Sequence, residues 1–331
     1  MTSMQLMRGT FALTLALALG FAVGSARAQE AAYPHRPIRM IVGFAAGGGT
    51  DVAARIMAQK MSEILGQSIL IENITGASGL IAADVEAKAA PDGYTLMMGS
   101  QTTFACAPNL YRKTTIDPAK DFAGVALTGA SPLVLVVNPS FAARSVVDVI
   151  AMAKANPGKI NFGTGGLGTT PHMTAEMFEH DAGIKMVHVP YRGEAGAIND
   201  LLGGQIPIMF ANLSAVMGNI KGGTLRALAV TSAKRSPAAP DIPTVAEAAI
   251  PGFEAETWWG IVAPTGTPRD IVSKLNAAAR QALARDDTQK RFADLGMTTR
   301  TSSPDELDAY IKSEIVKWGQ VIKEANVQPM D

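Results

Sequence analysis

Apolar and polar positions alternate in blocks along the chain, short apolar runs giving way to longer stretches with a helical period. Residues 38–44 form the first apolar run, a strand candidate, and the glycine turn of "FAAGGGTD" follows it. From there to about residue 65, Ala53, Ile56, Met57, Met61 and Ile64 fall on one helical face. Lys60 shares that stripe, so its stem is expected to be buried with its ammonium reaching water. "QSILIEN" predicts a second strand, "TGASGL" another glycine turn, and residues 80–88 a second helix. Pro91-Asp92-Gly93 is a turn, because proline presets φ and glycine takes the left-handed position. "YTLMMGS" is the third strand, and strands alternating with helices predict a largely parallel sheet.

"SPLVLVVNPS", residues 131–140, is strongly β-forming, and the strand–helix pattern then restarts. A helix near 146–155, the strand "KINFGTGG", a helix from Pro171 and the strand "KMVHVP" come first. A helix from about Glu194, the strand "IPIMF" and a unit ending in "LRALAV" complete this block. "SAKRSPAAPDIP" is a proline-rich loop and "FEAETWWGIVAP" a final extended run. Three helices close the chain. Thr267-Pro268 is expected to cap and open the first, and Ser303-Pro304-Asp305-Glu306 is a capping box for the last. Pattern alone divides the chain once, near residue 130, and leaves open where the closing helices return.

The first residues change the picture. Arg8 is the only charge before an apolar stretch from residue 11 to 23, and Ala26-Arg27-Ala28 supplies small residues where a signal peptidase reads. Cleavage is expected before Gln29, and the apolar run is short for a membrane anchor. No later segment has eighteen uninterrupted apolar residues, so the mature chain is expected to be soluble. Cys106, the only cysteine, has no disulfide partner and lies too far along to carry a lipid anchor. The 29 basic and 29 acidic residues balance, which argues against a nucleic-acid partner or a basic membrane-binding face.

Strand, glycine turn and helix together offer free amides to an anion. The first turn lacks the Lys-Ser/Thr of a nucleotide loop, and Val52 replaces the last glycine of a dinucleotide fingerprint, so a phosphate is not expected there. Thr50 or Asp51 is expected to cap its helix. The second turn, in "NFGTGGLGTTPHMTAEMF", places Pro171 at the first helical position, with Thr170 as the cap and Thr169 beside it. Two such sites facing each other could grip one small carboxylate. Helix ends contribute roughly 0.3–2 kcal/mol each and charge-assisted hydrogen bonds about 1.5–3. A few together reach the roughly 8 kcal/mol of micromolar binding.

Catalysis finds little support. There are four histidines and no Gly-x-Ser-x-Gly elbow. His172 and Glu176 share a helical face but have no third metal ligand at sensible spacing. His188 reads as a satisfied strand residue, Asp200 as facing solvent or a lobe contact, and the Trp258-Trp259 pair as core. Tyr191 and Arg192 end a strand, where α/β ligands sit, and Arg192 is either a second anion partner or a solvated side chain.

Five motifs in order carry a resemblance: "FAAGGGTDVAAR", "IENITGASGLIAADVEAKAAPDGYTL", "GTGGLGTTPHMTAEMF", "HVPYRGEAGAINDLLGGQIPIMF" and "ETWWGIVAPTGTP". From about residue 33 onward the chain resembles the tripartite tricarboxylate transporter receptors, the Bug family of periplasmic solute-binding proteins. The resemblance implies an α/β, type II periplasmic-binding-protein fold: two βα lobes joined by a two-strand hinge, with the ligand cleft between them. After a signal peptide of residues 1–28, lobe 1 would hold 33–130 plus 257–331, and lobe 2 would hold 131–256. It implies a monomeric periplasmic receptor, not an enzyme, with no metal or cofactor. Such a receptor captures a small organic carboxylate by lobe closure and delivers it to membrane transporter subunits. A sensor signalling to a membrane kinase would share every motif, and a secreted carboxylate-processing enzyme is the more distant alternative. Family positions map onto Phe44, Ala46 and Gly47 in the first loop and Gly165, Thr169 and Thr170 in the second. Ser100, Tyr191 and Asn212 follow less directly. The family's frequent Pro-Pro-Gly-Gly is here Ala45-Ala46-Gly47-Gly48.

Overall fold

In the computed structural model, which describes residues 33–325 and 327–330, the first apolar run becomes strand β1, Ile38–Val42. Helix α1, Gly49–Leu65, follows. Ala53, Met57 and Met61 of the expected stripe are buried, each worth up to roughly 1.5–3 kcal/mol for the larger side chains. Ile56 and Ile64 flank them half-buried. Gly66 ends the helix in the left-handed conformation, φ 69°, returning its N–H to Ser62 O. Lys60 is 15% exposed: its stem is largely buried, as expected, and its Nζ pairs with the exposed Asp287 at 2.7 Å at the protein surface. The predicted leader, residues 1–28, lies outside the described residues.

Strand β2 is Ile69–Asn73, helix α2 Leu80–Ala87 and strand β3 Thr95–Ser100. Residues 102–106 then form one wide π-helical turn running into a short helix α3, Ala107–Leu110, neither of which the pattern announces. Strand β4, Phe122–Val137, is 16 residues long, beginning well before the apolar run at 131. Next come α4 (Val146–Ala155), β5 (Asn161–Thr164), α5 (Thr170–Ala182), β6 (Val187–Pro190) and α6 (Glu194–Leu202). Then come β7 (Ile208–Asn212), α7 (Leu213–Lys221), β8 (Arg226–Val230), α8 (Val245–Ala248) and β9 (Glu256–Pro264). Helices α9 (Arg269–Ala284) and α10 (Asp286–Asp294), the short β10 (Thr298–Thr299) and α11 (Pro304–Glu324) close the chain. The described residues from Arg36 onward form one compact unit. None of the described helices is long and apolar enough to cross a membrane.

Strand order is β2-β1-β3-β9-β4-β7-β5-β6, with β8 and β10 also paired to β4. Pairs β1–β2, β1–β3, β5–β6 and β5–β7 are parallel, as expected. The centre is not: β9 runs antiparallel to β3 and β4, and β4 antiparallel to β7 and β8. The chain crosses from one half-sheet to the other in β4 and returns in β9, and an out-and-back pair must be antiparallel. Pro132 marks the crossing. Up to Pro132, β4 pairs with β9; from Leu133 it pairs with β7, and from Val134 also with β8. Thr231 ties the crossing together: its hydroxyl accepts from Leu133 N–H at 2.9 Å and donates to Ala255 O at 2.6 Å.

The closing helices pack on the first half-sheet. Asn276 of α9 donates to Val125 O at 2.7 Å, and Asp308 of α11 accepts from Gly124 N–H at 2.8 Å. Ser303 and Glu306 form the capping box. Thr267 does not cap α9: its hydroxyl donates to Pro264 O at 2.7 Å, closing the preceding turn, and Pro268 flanks the first helical residue, Arg269. Trp258 and Trp259 are both core residues. Trp258 Nε1 donates to the buried Glu314 carboxylate at 2.8 Å, and Trp259 Nε1 to Thr50 Oγ1 at 3.1 Å.

Candidate functional site

The glycine turn after β1 is held from behind. Asp51 accepts from Gly47 N–H (3.0 Å), Arg55 Nε (2.8 Å) and Asn73 Nδ2 (2.9 Å), and Asn73 also donates to Phe44 O at 2.8 Å. Burial raises the Asp51 carboxyl, but the bonds from Arg55, Gly47 and Asn73 outweigh it and hold it below the usual range. Neither Thr50 nor Asp51 caps α1. Extended Gly48 precedes the helix and has no side chain to offer, while Thr50 and Asp51 are turned to Trp259 and Gly47.

The cap comes from a remote carboxylate. Glu194, the first residue of α6, accepts from Gly49 N–H at 3.2 Å, Asn212 N–H at 2.5 Å and Asn212 Nδ2 at 3.0 Å. Burial pushes the Glu194 carboxyl up, against the downward pull of the Asn212 and Gly49 bonds.

In the second loop the cap is Thr169, not Thr170. Thr169 is extended (φ −72°, ψ 156°), so its hydroxyl can accept from His172 N–H at 3.4 Å while donating to Gly166 O at 2.8 Å. Thr170 is therefore already helical, and Pro171 stands second. Thr170 N–H donates to Thr102 Oγ1 at 2.9 Å, and the two hydroxyls lie 2.9 Å apart, so the unannounced π turn supplies the partner. His172 Nδ1 accepts from Gly168 N–H at 3.1 Å, and its Nε2 lies 3.3 Å from Glu176. His188 stacks between His172 and Phe162, with Nε2 2.6 Å from Thr164 Oγ1. Burial and then repulsion from His172 bring its pKa down to about 3, so the ring is neutral.

Between the half-sheets lies a cavity of ≈ 430 Å³. The first half contributes Gly43, Phe44, Ala45, residues 75–79 and Tyr111, and the second contributes residues 165–167, Thr169 and residues 190–193. The 75–79 turn is strained, with Ala77 (φ 44°) and Ser78 (φ 55°) in left-handed conformation. Its Ser78 hydroxyl donates to Leu167 O across the gap. A Cβ on Gly43 would come within 2.8 Å of Gly79 Cα, so glycine there lets the two first-half turns touch. Tyr191 lines the cavity with its hydroxyl donating to Asp200 at 2.7 Å, and burial together with that carboxylate pushes it up to about 12. Arg192 is exposed at the wall and makes no hydrogen bond or ion pair among the described residues.

A second, small chamber of ≈ 30 Å³ shares Phe44, Gly165 and Thr169 with the large cavity. Ser100, Glu194, Asn212 and Thr257 line it, and Ser100 Oγ, Thr257 Oγ1 and Asn212 Oδ1 are buried without a partner among the described residues. Of the positions singled out from the sequence, Phe44, Gly165, Thr169 and Tyr191 border the large cavity, and Ser100 and Asn212 the small one. Ala46, Gly47 and Thr170 border neither. Sequence reasoning passed over Glu194, Thr102, Thr257 and Ser78. Only Glu194 carried a signal, an acidic residue at a helix start beside Tyr191 and Arg192.

Two half-sheets joined by β4 and β9, with glycine-loop walls enclosing a cavity, define a two-lobed α/β solute-binding protein. Residues 53–327 match the family described as "Tripartite tricarboxylate transporter family receptor", and the chain belongs to that family of periplasmic solute-binding receptors. It is 38% identical over 297 residues to Protein BugT of Bordetella pertussis (strain Tohama I), covering 89% of this chain and 91% of BugT. Among solved structures it is similar to R. palustris Rpa4515 with adipate, with TM-score 0.88, 36% identity, and coverage of 90% of this chain and 100% of that one. MatC (Rpa3494) of Rhodopseudomonas palustris with bound malate gives TM-score 0.83 and 33% identity, covering 88% of this chain and all of that one.

Proposed function

We propose that the chain is exported, loses its leader near Ala28-Gln29, and works as a monomeric receptor. It closes over a small organic carboxylate and delivers it to the membrane subunits of a tripartite tricarboxylate-type transporter. Lobe 1 is 33–130 plus 257–331 and lobe 2 is 131–256, hinged where β4 and β9 cross near Pro132 and Glu256. The observation that carries this reading is the ≈ 430 Å³ cavity, walled by glycine loops of both half-sheets, with Arg192 at its edge as a cation unpaired among the described residues. That volume lies within the range of small-molecule sites, about 300–1,000 Å³. The adipate and malate in related structures support a carboxylate of similar size. Phe44, Gly165, Thr169 and Tyr191 surround the ligand, Ser100 and Asn212 serve its deep end, and Gly47, bonded to Asp51, and Thr170, bonded to Thr102, hold the loops in place. Binding energy is gained only when both lobes touch the ligand, which shifts the open–closed equilibrium, and no bond is made or broken.

The test is calorimetric titration of the purified mature chain with mono-, di- and tricarboxylates. At least one acid is expected to bind at micromolar Kd. At a hundredfold excess over Kd it should stabilise the protein by about 2.7 kcal/mol. Absence of heat and of any melting shift across the panel overturns the reading.

A further inference from the structure

The deepest carboxylate in the cleft belongs to the protein. Glu194 sits where three helices begin: at the first residue of α6, against the Gly49 N–H of α1 and against Asn212, which precedes α7. Helix N-termini favour an anion, and here the anion is built in. Among the described residues no Arg, Lys or His comes within ion-pair distance of it; three N–H donors shared over both its oxygens favour the ionised form against the upward push of burial. The seat is filled, and a second carboxylate beside it would meet like charge in a buried setting.

The chamber next to Glu194 has the opposite need. A carboxylate offers about four acceptor positions, and three N–H groups occupy Glu194. Asn212 Oδ1 is a pure acceptor, 7% exposed as a residue, with no partner. Ser100 and Thr257, 1% and 2% exposed, leave both hydroxyl oxygens unpartnered on the same chamber. Buried polar atoms of this kind are satisfied in the working state by a ligand group or a water. The ≈ 30 Å³ available fits one nitrogen or oxygen with its hydrogens. The two hydroxyls can donate or accept, but Asn212 Oδ1 and the last acceptor position of Glu194 take only a donor, which an ionised carboxylate cannot supply.

We propose that Glu194 stands in for a ligand carboxylate, so that the receptor selects a monocarboxylate whose other end, an ammonium or carboxamide, enters the small chamber as a hydrogen-bond donor. The ligand's own carboxylate then lies in the large cavity, on Arg192 and the loop amides. This rests on the receptor reading above and narrows it: Glu194 is the residue that sets specificity at the deep end.

The test uses chain-matched probes on the full mature protein: adipate against its monoamide and 6-aminohexanoate, and succinate against succinamate and 4-aminobutyrate. Wild type is expected to bind a donor-bearing acid at least about tenfold more tightly than the matched dicarboxylate. Glu194→Ala, which bares Gly49 N–H and Asn212 N–H, is expected to reverse that order. Glu194→Gln keeps the shape and removes the charge, and is expected to weaken the donor-bearing acids and to tighten the dicarboxylates, each severalfold. It keeps the proposal open to refutation even if Glu194→Ala does not fold. Wild type binding dicarboxylates as well as or better than their partners overturns this inference and leaves the receptor reading standing. Wild type binding no acid of either series overturns both.

Discussion

Glu86 offers a test of the energetics. It lies in α2, fully buried, with neither carboxylate oxygen hydrogen-bonded among the described residues. Burial raises its pKa from 4.5 to about 8, and the attraction of Arg39, already paired with Glu72 at 2.5 Å, only moderates the rise. Between those values the unfolded chain releases the proton and the folded protein keeps it. The folded state then binds more protons, so stability falls as pH rises from about 4.5 to about 8 and levels off above. At ~1.36 kcal/mol for each tenfold in proton affinity, the loss has an upper bound of about 5 kcal/mol. Glu86→Gln has the shape of the protonated acid and does not titrate. Urea denaturation of both proteins, followed by fluorescence and circular dichroism, should give nearly equal stabilities at pH 5. At pH 8.5 the variant should lead by about 3–5 kcal/mol. Parallel stability profiles for the two proteins from pH 5 to 8.5 would refute the argument, because they would mean the buried carboxylate finds water or a partner at no cost.

Two further outcomes follow from the same geometry. Gly193 has φ 119°, and a Cβ there would stand 2.8 Å from the Ala45 Cβ across the cleft. Gly193→Ala should therefore lower acid affinity roughly tenfold or more by calorimetry, as overpacking at the closed interface costs about 1–3 kcal/mol; unchanged affinity would mean these loops do not meet when ligand is bound. Cys106 is fully buried in the cluster with Met173, Trp318 and Ile322, and burial pushes its thiol well up. It should ignore a thiol reagent such as DTNB in the native protein and react fully in denaturant, with or without bound acid; fast native labelling would show that the α3–α11 packing opens.

Much of the site's scaffold was legible, and its chemistry was not. The glycine turns were read as anion-binding because strand, turn and helix stand together in the chain. The groups that take their amides do not: Glu194 lies 145 residues from Gly49, and Thr102 lies 68 from Thr170. The same distinction explains the misassigned caps. Placing Pro171 first made Thr170 the cap, but the extended backbone at Thr169 makes Thr169 the cap and leaves the Thr170 N–H to Thr102 of the π turn.

The sequence by itself determined most of the strands and helices and their order, the Ser303–Glu306 box, the burial of Trp258 and Trp259 and the family. Those features depend on periodicity, on contacts within about four residues, and on motifs held in fixed order. Tertiary structure alone decided the antiparallel centre of the sheet, the pairing of Thr170 with Thr102, and the Glu194 carboxylate that takes the Gly49 and Asn212 N–H groups. Each of these joins groups remote in the chain, and their pairing is selected by which buried amides, carbonyls and charges remain unmatched once the halves come together.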